Sequence, residues 1–346
     1  MDNASQVILR NEDRLGGKSL LIINPLRDLL AQGLMRDGRP LRLSTQDFGD
    51  AAWLEAAGFP VSFEAVPDVS GEESTVILHL PREKDRLSLL LHAVSARLSP
   101  AARLWLVGEN RAGIRSSARY LDAHFGAVEA IDKARHCVLY EAREPRLQRP
   151  FGLADYLTAW SLRLDGEDLQ LLSLPGVFAH GRLDRGSELL LDALRQLKPA
   201  GRVLDFACGC GVLGLALLRE NEKIELTLLD SSAVALESCR RSMDANGLRA
   251  SMLPSDGLAS VSERYDWIVS NPPFHRGVRS DLGVAADFFR EAGTFLTENG
   301  KIVIVFNRHL PYLRWLQHAF DRVDLLGSGG DFTIVQAGRP NLRRGQ

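Results

Sequence analysis

The 346-residue chain is poor in cysteine and in long hydrophobic runs. Its four cysteines are too few and too scattered for a disulfide framework, and no histidine cluster accompanies them, so we expect no metal site. No apolar run approaches the roughly 20 residues that a membrane-spanning helix needs, so we expect no membrane association. The first residues are polar and lack the basic start and apolar core of a signal peptide. These absences predict a cytoplasmic protein.

A surplus of positive charge is also absent. The chain has 42 basic and 44 acidic side chains, a formal net charge of −2, whereas a dedicated nucleic-acid-binding domain usually carries a strong positive excess. If RNA is a partner, local arginine patches or a protein-rich assembly must meet it.

What the chain does contain is an ordinary globular composition, with 45% hydrophobic and 25% charged residues. Its length suggests two domains of about 150 residues each. Pro81 and Pro273, each at the end of a strand that runs into a turn, are 192 residues apart, and Phe125 and Phe320, each at the end of a helical stretch, are 195 apart. This nearly constant offset predicts a duplicated α/β domain. The alternative is the general likeness of any two open α/β domains.

The join between the two halves falls within residues 143–174. Its first part is rich in arginine and proline, and two short strand-like segments then flank Asp165-Gly166, a dipeptide typical of a β-hairpin turn. We therefore predict a first domain over residues 1–150, a linker and β-hairpin over 151–174, and a second domain over 175–346.

Strands and helices alternate in the second half, which predicts a parallel sheet with ligand sites at the carboxyl ends of its strands. The predicted helices are 184–197, 212–220, 232–246, 284–297 and 311–320, and the predicted strands are 202–206, 225–229, 265–270, 301–306 and 331–337.

A glycine-rich run follows the first of these strands. Gly209, Gly211 and Gly214 have the Gly-x-Gly-x-x-Gly spacing that lets a backbone approach a ligand closely at the start of a helix. Dinucleotide-binding dehydrogenases use the same spacing. Asp205, four positions before Gly209, favours another cofactor, because a carboxylate would repel a pyrophosphate but suits an ammonium group such as that of S-adenosylmethionine (SAM).

Two further carboxylates are candidates, one at a strand end and one in a loop. Asp230 ends the next strand, where it is placed to accept hydrogen bonds from ribose hydroxyls. The alternative is that Asp230 caps the helix that begins after Ser231. Asp256, followed by Gly257, stands where a third loop can hold an adenine amino group, although a lone turn aspartate is an equal alternative. We include all four residues among the candidate cofactor-binding residues, together with Asp205, Gly209, Gly211 and Asn271.

The most specific motif is Asn271-Pro272-Pro273-Phe274, at the end of a predicted strand. An amino group conjugated to a ring is a poor nucleophile because its lone pair is delocalised. The Asn271 side-chain oxygen and the Pro272 carbonyl can accept its two N–H bonds and so aim the lone pair at a methyl donor, while Phe274 offers a face on which a base can stack. The alternative is a structural, proline-rich strand exit.

These motifs together resemble the SAM-dependent amino-group N-methyltransferases. Segments 174–178 and 181–187 are similar to the entry into the catalytic domain of the bacterial ribosomal RNA guanine-N2 methyltransferases. Segments 107–116 and 132–140 resemble the small-subunit branch, the 16S rRNA guanine(1207)-N2-methyltransferase family. The likeness covers nearly the whole chain.

The resemblance implies two tandem Rossmann-like methyltransferase domains, of which only the second binds SAM. Residues 21–27 of the first half lack the glycines, and His79-Leu80-Pro81-Arg82 replaces the Asn-Pro-Pro-Phe motif, so we expect this domain to be degenerate and to help position RNA. The expected substrate is guanosine 1207 of 16S rRNA, on the 30S subunit. Candidate RNA- or base-contacting residues are Arg82, Arg111, Arg115, Phe178, His275 and Arg276, for which a solvated surface or, for Phe178, a core position is the alternative.

Other functions stay open at this point. The nearest is methylation of 23S rRNA by the large-subunit branch, followed by methylation of a protein glutamine. A non-catalytic ribosome assembly factor that retains the fold predicts no SAM binding, and a dehydrogenase predicts nicotinamide binding.

Overall fold

The computed structural model describes residues 1–15, 19–35, 38–146, 150–272 and 279–341. These residues form two compact units, Met1–Leu157 and Thr158–Gln346. Neither unit, over the described residues, contains a helix that is both long and apolar enough to cross a membrane.

The first unit is a seven-stranded sheet with helices on its faces. Its elements are α1 (Asn3–Arg10), β1 (Leu20–Ile23), α2 (Leu30–Leu34), β2 (Leu41–Thr45), α3 (Phe48–Ala56), β3 (Val61–Phe63), β4 (Thr75–His79), α4 (Lys84–Ser95), β5 (Arg103–Glu109), α5 (Ile114–His124), β6 (Phe125–Ala134) and β7 (Cys137–Pro145). The strand order is β3-β2-β1-β4-β5-β7-β6. Strand β7 pairs antiparallel with both β5 and β6, and the other neighbouring strands pair parallel. Trp105 on β5 is fully buried in the core.

The second unit begins with a two-stranded hairpin and continues as another seven-stranded sheet. Its elements are β8 (Thr158–Leu164), β9 (Glu167–Ser173), α6 (Arg185–Leu197), β10 (Arg202–Phe206), α7 (Val212–Glu220), β11 (Glu225–Asp230), α8 (Ala233–Asn246), β12 (Ser251–Pro254), β13 (Tyr265–Ser270), α9 (Arg279–Ala292), β14 (Leu296–Asn307), α10 (Tyr312–Ala319), β15 (Phe320–Gly329) and β16 (Phe332–Pro340). The order is β12-β11-β10-β13-β14-β16-β15, the same as in the first unit.

The duplication extends to irregularities. Phe125 and Phe320 each begin a strand directly at the end of a helix, with extended backbone angles. Both strands then shift register against their partner, within residues 130–132 of β6 and 325–327 of β15, again 195 residues apart. Two unrelated open α/β domains share helices and strands but have no reason to share a bulge at the same offset. The predicted duplication is therefore confirmed.

The sequence predicted a parallel sheet in the second unit, but the sheet is mixed. The strands are parallel as far as β14, but β16 pairs antiparallel with β14 and with β15. Strands β12 and β15 were not predicted, because they lie at the two sheet edges and are too exposed to give a buried-strand pattern. Helix α9 ends at Ala292, five residues before the predicted end, because a short 3-10 turn begins at Gly293.

An aromatic cluster fixes the strand that leads to the glycine-rich run. Phe206, the last residue of β10, stacks on Phe288 of α9 with ring centroids 4.2 Å apart. Phe289 in turn packs edge-on against Tyr312 of α10. These buried rings belong to one core that contains residues of β10, β13 and β14, so the carboxyl ends of these strands are held by rigid packing.

Candidate active site

The glycine-rich loop between β10 and α7 is built from left-handed residues at alternate positions. Ala207, Gly209 and Gly211 have φ values of +57°, +60° and +84°. Only glycine adopts such angles without steric cost, so the backbone of Ala207 is strained. A Cβ atom on Gly209 would meet only Val177, at 3.8 Å, which leaves this part of the loop open to a ligand.

The third glycine of the predicted run has a different role. A Cβ atom on Gly214, inside α7, would lie 2.9 Å from the Leu226 and Leu228 side chains of β11. Gly214 therefore permits close packing of the helix on the sheet rather than contact with a ligand. Two cysteines also lie under the loop, with Cys208 Sγ 3.6 Å from Cys239 Sγ. No described group of three histidine, cysteine or acidic residues is arranged to hold a metal ion.

Asp205 lies beneath the loop. Its side chain is 1% exposed, and its Oδ2 accepts a hydrogen bond of 2.8 Å from the backbone N–H of Gly214. No described residue donates to its buried Oδ1. Burial raises the pKa of this carboxyl to about 7, helped by the nearby Asp230 and opposed by the Gly214 hydrogen bond. The carboxylate thus holds the start of α7, and its predicted contact with an ammonium group stays a prediction.

Asp230 ties the end of β11 to the glycine loop. Its Oδ2 accepts from the backbone N–H of Gly209 and its Oδ1 from that of Ser232, both at 2.9 Å. The N-cap of α8 is Ser232, whose Oγ accepts from Ala235 N–H, so the alternative reading of Asp230 as the cap is wrong. Ser231 lies half-buried between the two.

The loop after β12 reaches the same edge of the sheet. Ser255 is buried and its backbone N–H donates to the carbonyl oxygen of Asp230 at 3.2 Å. The next residue, Asp256, is exposed, and Gly257 has a φ of +58° with open space around its Cβ position. The structure therefore brings Asp256 to the strand edge that carries Asp230, as the sequence predicted.

Asn271 is held by two residues that the sequence analysis did not single out. Its Nδ2 donates to Asp184 Oδ2 and to Ser187 Oγ, each at 3.0 Å. Its Oδ1 is buried, and no described group donates to it. Because a carboxylate only accepts hydrogen bonds, the nitrogen of the amide must face Asp184 and the oxygen must face away.

The remaining candidates divide into described and undescribed residues. Pro272 is buried, whereas Phe274, His275 and Arg276 lie outside the described residues. Phe178 is 48% exposed and follows Val177, the residue nearest to the open side of Gly209. Its exposure excludes the alternative of a core position.

The candidate arginines of the first unit follow the carboxyl ends of β4 and β5. Arg82, Arg111 and Arg115 are all exposed. Arg111 pairs with Glu109, and Arg115 Nε donates to Asn110 Oδ1 at 3.0 Å. They share one edge of the first sheet and present guanidinium groups to solvent.

That edge of the first sheet is otherwise unlike its counterpart in the second. Asn24, directly after β1, has a φ of +53°, and its Oδ1 accepts from the backbone N–H of Gln46 at 3.1 Å. Thr45 ends β2, and its Oγ1 accepts from the backbone N–H of Asp47. His79 ends β4 with both ring nitrogens buried and without a described partner.

The arrangement of a glycine loop, acidic strand ends and an oriented asparagine amide defines the class of protein. The family model of the methyltransferase small domain matches residues 168–336, and that of its N-terminal domain matches residues 5–160. The chain is thus a methyltransferase that contains one domain of each of these two families.

Whole-chain relatives define the family more narrowly. Ribosomal RNA small subunit methyltransferase C of Stutzerimonas stutzeri is 37% identical over 339 residues, which cover 98% of this chain and 100% of that protein. The protein of the same name from Shewanella loihica is 36% identical over 337 residues, which cover 96% and 98% of the two chains. This chain belongs to the family of ribosomal RNA small subunit methyltransferase C, as its sequence motifs had indicated.

A solved structure has the same fold over both units. The T. thermophilus 16S rRNA N2 G1207 methyltransferase (RsmC), in complex with AdoMet and guanosine, superposes with a TM-score of 0.84 and 24% identity. The match covers 98% of this chain and 92% of that one. The predicted fold of two tandem methyltransferase domains is confirmed.

Proposed function

We propose that this chain transfers the methyl group of SAM to the exocyclic N2 of a guanosine in 16S rRNA, guanosine 1207 by family membership, on the 30S subunit. The observation that carries the proposal is the Asn271 amide, whose oxygen is buried without a described donor while its nitrogen is fully engaged. Such an oxygen is suited to accept a hydrogen bond from an amino group. The reaction is proposed to take place in the cytoplasm, without a metal and away from membranes.

The second unit fits SAM as cofactor. The open side of Gly209 lets a ligand approach the backbone, and Gly211 is the N-cap of α7, so the loop adjoins the amino end of that helix. We assign the ribose hydroxyls to Asp230 with Ser231, the adenine amino group to Asp256 with Gly257, and the methionine ammonium group to Asp205. The Asp230 carboxylate accepts from the backbone N–H groups of Gly209 and Ser232, which fixes its position beside the glycine loop.

SAM supplies an electrophilic methyl group, so the residues of the chain need only bind, orient and shield the amino group. Asn271 Oδ1 and the Pro272 carbonyl oxygen accept the two N2 hydrogens, which turns the nitrogen lone pair away from the guanine ring and towards the methyl donor. No base is required before the transfer, because the extra proton leaves N2 after the new bond has formed. Pro272 keeps the loop rigid, and Phe274 stacks on the guanine.

The target base must leave its stack to reach this pocket. We assign flanking or phosphate contacts near the pocket to Phe178, His275 and Arg276. In the first unit Arg82, Arg111 and Arg115 share one exposed edge and are suited to phosphate oxygens. We assign these roles to the domains that the sequence predicts: residues 1–150 form the supporting domain and residues 175–346 the catalytic domain.

The experiment is the transfer of labelled methyl from SAM to 30S subunits that lack their modifications, with 50S subunits and free 16S rRNA as parallel substrates. Label on guanosine of 30S subunits, located by nuclease mapping and lost in Asn271→Ala, is the expected result. Label on 50S subunits would move the assignment to 23S rRNA. SAM binding without transfer to any RNA would refute the RNA assignment, and absence of SAM binding would indicate an assembly factor.

A further inference from the structure

We propose that Asp184 and Ser187 are positioning residues that lock the orientation of the Asn271 amide and make it an acceptor only. This inference rests on the proposed methyl transfer to an amino group and adds to it the device that selects such a group. It concerns residues more than 80 positions away from Asn271 in the sequence, brought together where α6 begins beside the end of β13.

Asp184 is well placed to be rigid. It is the N-cap of α6, and its Oδ2 accepts from the backbone N–H groups of Gly186 at 2.8 Å and Ser187 at 3.2 Å, in addition to Asn271 Nδ2. A Cβ atom on Gly186 would approach this oxygen to 2.9 Å and the ring of Phe332 to 3.1 Å, so the glycine provides the space that the carboxylate occupies. The helix end therefore fixes the carboxylate before any ligand arrives.

Ser187 supplies the second anchor. Its hydroxyl is buried on the first turn of α6 and accepts from Asn271 Nδ2 at 3.0 Å. The two hydrogens of the amide nitrogen are thus both used within the chain. Rotating the amide by half a turn would bring Asn271 Oδ1 against the Asp184 carboxylate, two acceptors without a hydrogen between them, which is unfavourable in a buried site.

The consequence is selectivity for the chemistry of the target atom. An amide that is free to turn can face either a donor or an acceptor, whereas this one offers only its oxygen. It can bind an N–H donor such as an amino group, but not an unprotonated ring nitrogen or a carbonyl oxygen. The negative charge of Asp184 also polarises the amide and makes Oδ1 more negative, which stabilises the positive charge that develops on N2 as the methyl group arrives.

The first unit contains the same helix start without the amide. Asp2 is the N-cap of α1, with its side chain accepting from Ala4 N–H, and the buried Ser5 lies three residues later. The residue at the end of β4 is His79, and the Ser5 hydroxyl has no described partner. Ser5→Ala is therefore a matched control for Ser187→Ala.

The test is a double-mutant cycle in the full-length enzyme with 30S subunits as substrate. We expect Asp184→Asn and Ser187→Ala to lower kcat by about 100-fold and about tenfold, because a loosened amide misplaces the amino group, while the Kd for SAM and the KM for SAM stay unchanged. Asp184→Asn keeps an N-cap side chain, so it is expected to fold. Ser5→Ala should leave kcat unchanged.

The effect of Asp184→Asn should disappear in the Asn271→Ala background, because Asp184 acts through that amide. Additive losses, or a weakened Kd for SAM in Asp184→Asn, would overturn the proposal and show that Asp184 serves the cofactor or the helix directly.

A second readout does not depend on turnover. In enzyme labelled with 15N-asparagine, the side-chain amide hydrogens of Asn271, assigned by their loss in Asn271→Ala, should exchange slowly with solvent and should exchange rapidly in Ser187→Ala. Rapid exchange in the wild-type enzyme refutes the locked amide. Slow exchange without methyl transfer to any RNA supports the lock and refutes the proposed function, so the two failures are distinguishable.

Discussion

The two units have one scaffold and two different strand edges. Both sheets have the same strand order and the same bulge, so the fold itself does not require the residues in which they differ. The difference between the end of β11 in the second unit and the end of β2 in the first is the most instructive. Asp230 Oδ1 accepts the backbone N–H two residues later, and in the first unit Thr45 Oγ1 accepts the equivalent N–H of Asp47. A hydroxyl satisfies this local need, so the hydrogen bond to the residue two positions later does not require the negative charge of Asp230.

The first unit fills its edge with its own side chains. Gln46 Oε1 accepts from Arg86 Nε at 2.6 Å and from Asn24 Nδ2 at 3.4 Å. At the place of Asn271 stands His79, 5% exposed. Neither ring nitrogen of His79 has a described hydrogen-bond partner, so the two units differ at this position in the group present: only the second has an amide oxygen, that of Asn271, held ready as an acceptor. This difference supports the proposal that the second unit carries the chemistry.

The largest expected effect is on methyl transfer. Asn271→Ala removes the acceptor for the substrate amino group and should lower kcat by about 1000-fold, the upper range for loss of one preorganised polar group, with SAM binding retained. His79→Ala, the change at the matching position of the first unit, should alter kcat by less than about threefold in protein that is still folded. Single-turnover transfer to 30S subunits measures both. Equal losses would mean that the first unit also takes part in the chemistry.

The second effect is on cofactor affinity. Asp230→Ala should weaken SAM binding by about 100-fold, because hydrogen bonds to a charged group contribute about 1.5–3 kcal/mol. Thr45→Ala removes the equivalent acceptor of the first unit and should leave the Kd unchanged. Isothermal titration calorimetry provides both values. A loss of affinity in Thr45→Ala would place cofactor contacts in the unit where we expect none.

The third effect is an opposite response of the units to pH. Burial lowers the pKa of His79 to about 4, so the unfolded chain, with an ordinary pKa of 6.5, binds the proton first. The free energy of unfolding of the first unit should therefore fall as pH drops from 6.5 to 4, by about 3 kcal/mol in all. Asp205 has a pKa raised from 3.8 to about 7. Its contribution to the free energy of unfolding of the second unit is therefore fully present below pH 3.8 and is lost as pH rises to 7.

Hydrogen exchange of each unit as a function of pH measures this contrast. The equilibrium constant for opening should change roughly tenfold per pH unit, between pH 4 and 6.5 in the first unit and between pH 3.8 and 7 in the second. His79→Gln should flatten only the first unit's slope, and Asp205→Asn only the second's. Parallel slopes in both units would contradict the assignment of these two groups.

The smallest effect concerns the first residue of each loop. Ala207→Gly should stabilise the second unit by about 0.5 kcal/mol, because relief of the left-handed strain exceeds the entropy that glycine loses on folding. Asn24→Gly should destabilise the first unit, since asparagine tolerates this conformation and its side chain is hydrogen bonded to Gln46. Denaturant midpoints of the two variants give the signs.

The sequence predicted those features that depend on neighbouring residues. The glycine loop, the strand ends at Asp230 and Asn271, and the hairpin turn at Asp165-Gly166 each show themselves within a few positions. The anchors of Asn271 could not be found that way, because Asp184 meets it only through the packing of α6 beside β13. The one available signal was an N-cap aspartate followed three residues later by a serine. Edge strands β12 and β15 escaped because exposure erases the hydrophobic alternation that marks a strand.

The hairpin before the second sheet has one more consequence. A two-stranded sheet normally leaves rows of unpaired backbone groups that invite a foreign strand and lead to aggregation. Here the backbone N–H groups of Leu172 and Leu174 donate to the hydroxyls of Ser242 and Ser238 on α8, at 2.9 and 3.0 Å, and that of Gln170 donates to a third side chain of the same helix. The helix thereby takes the place of a neighbouring strand, and this edge of β9 is closed to recruitment by other chains.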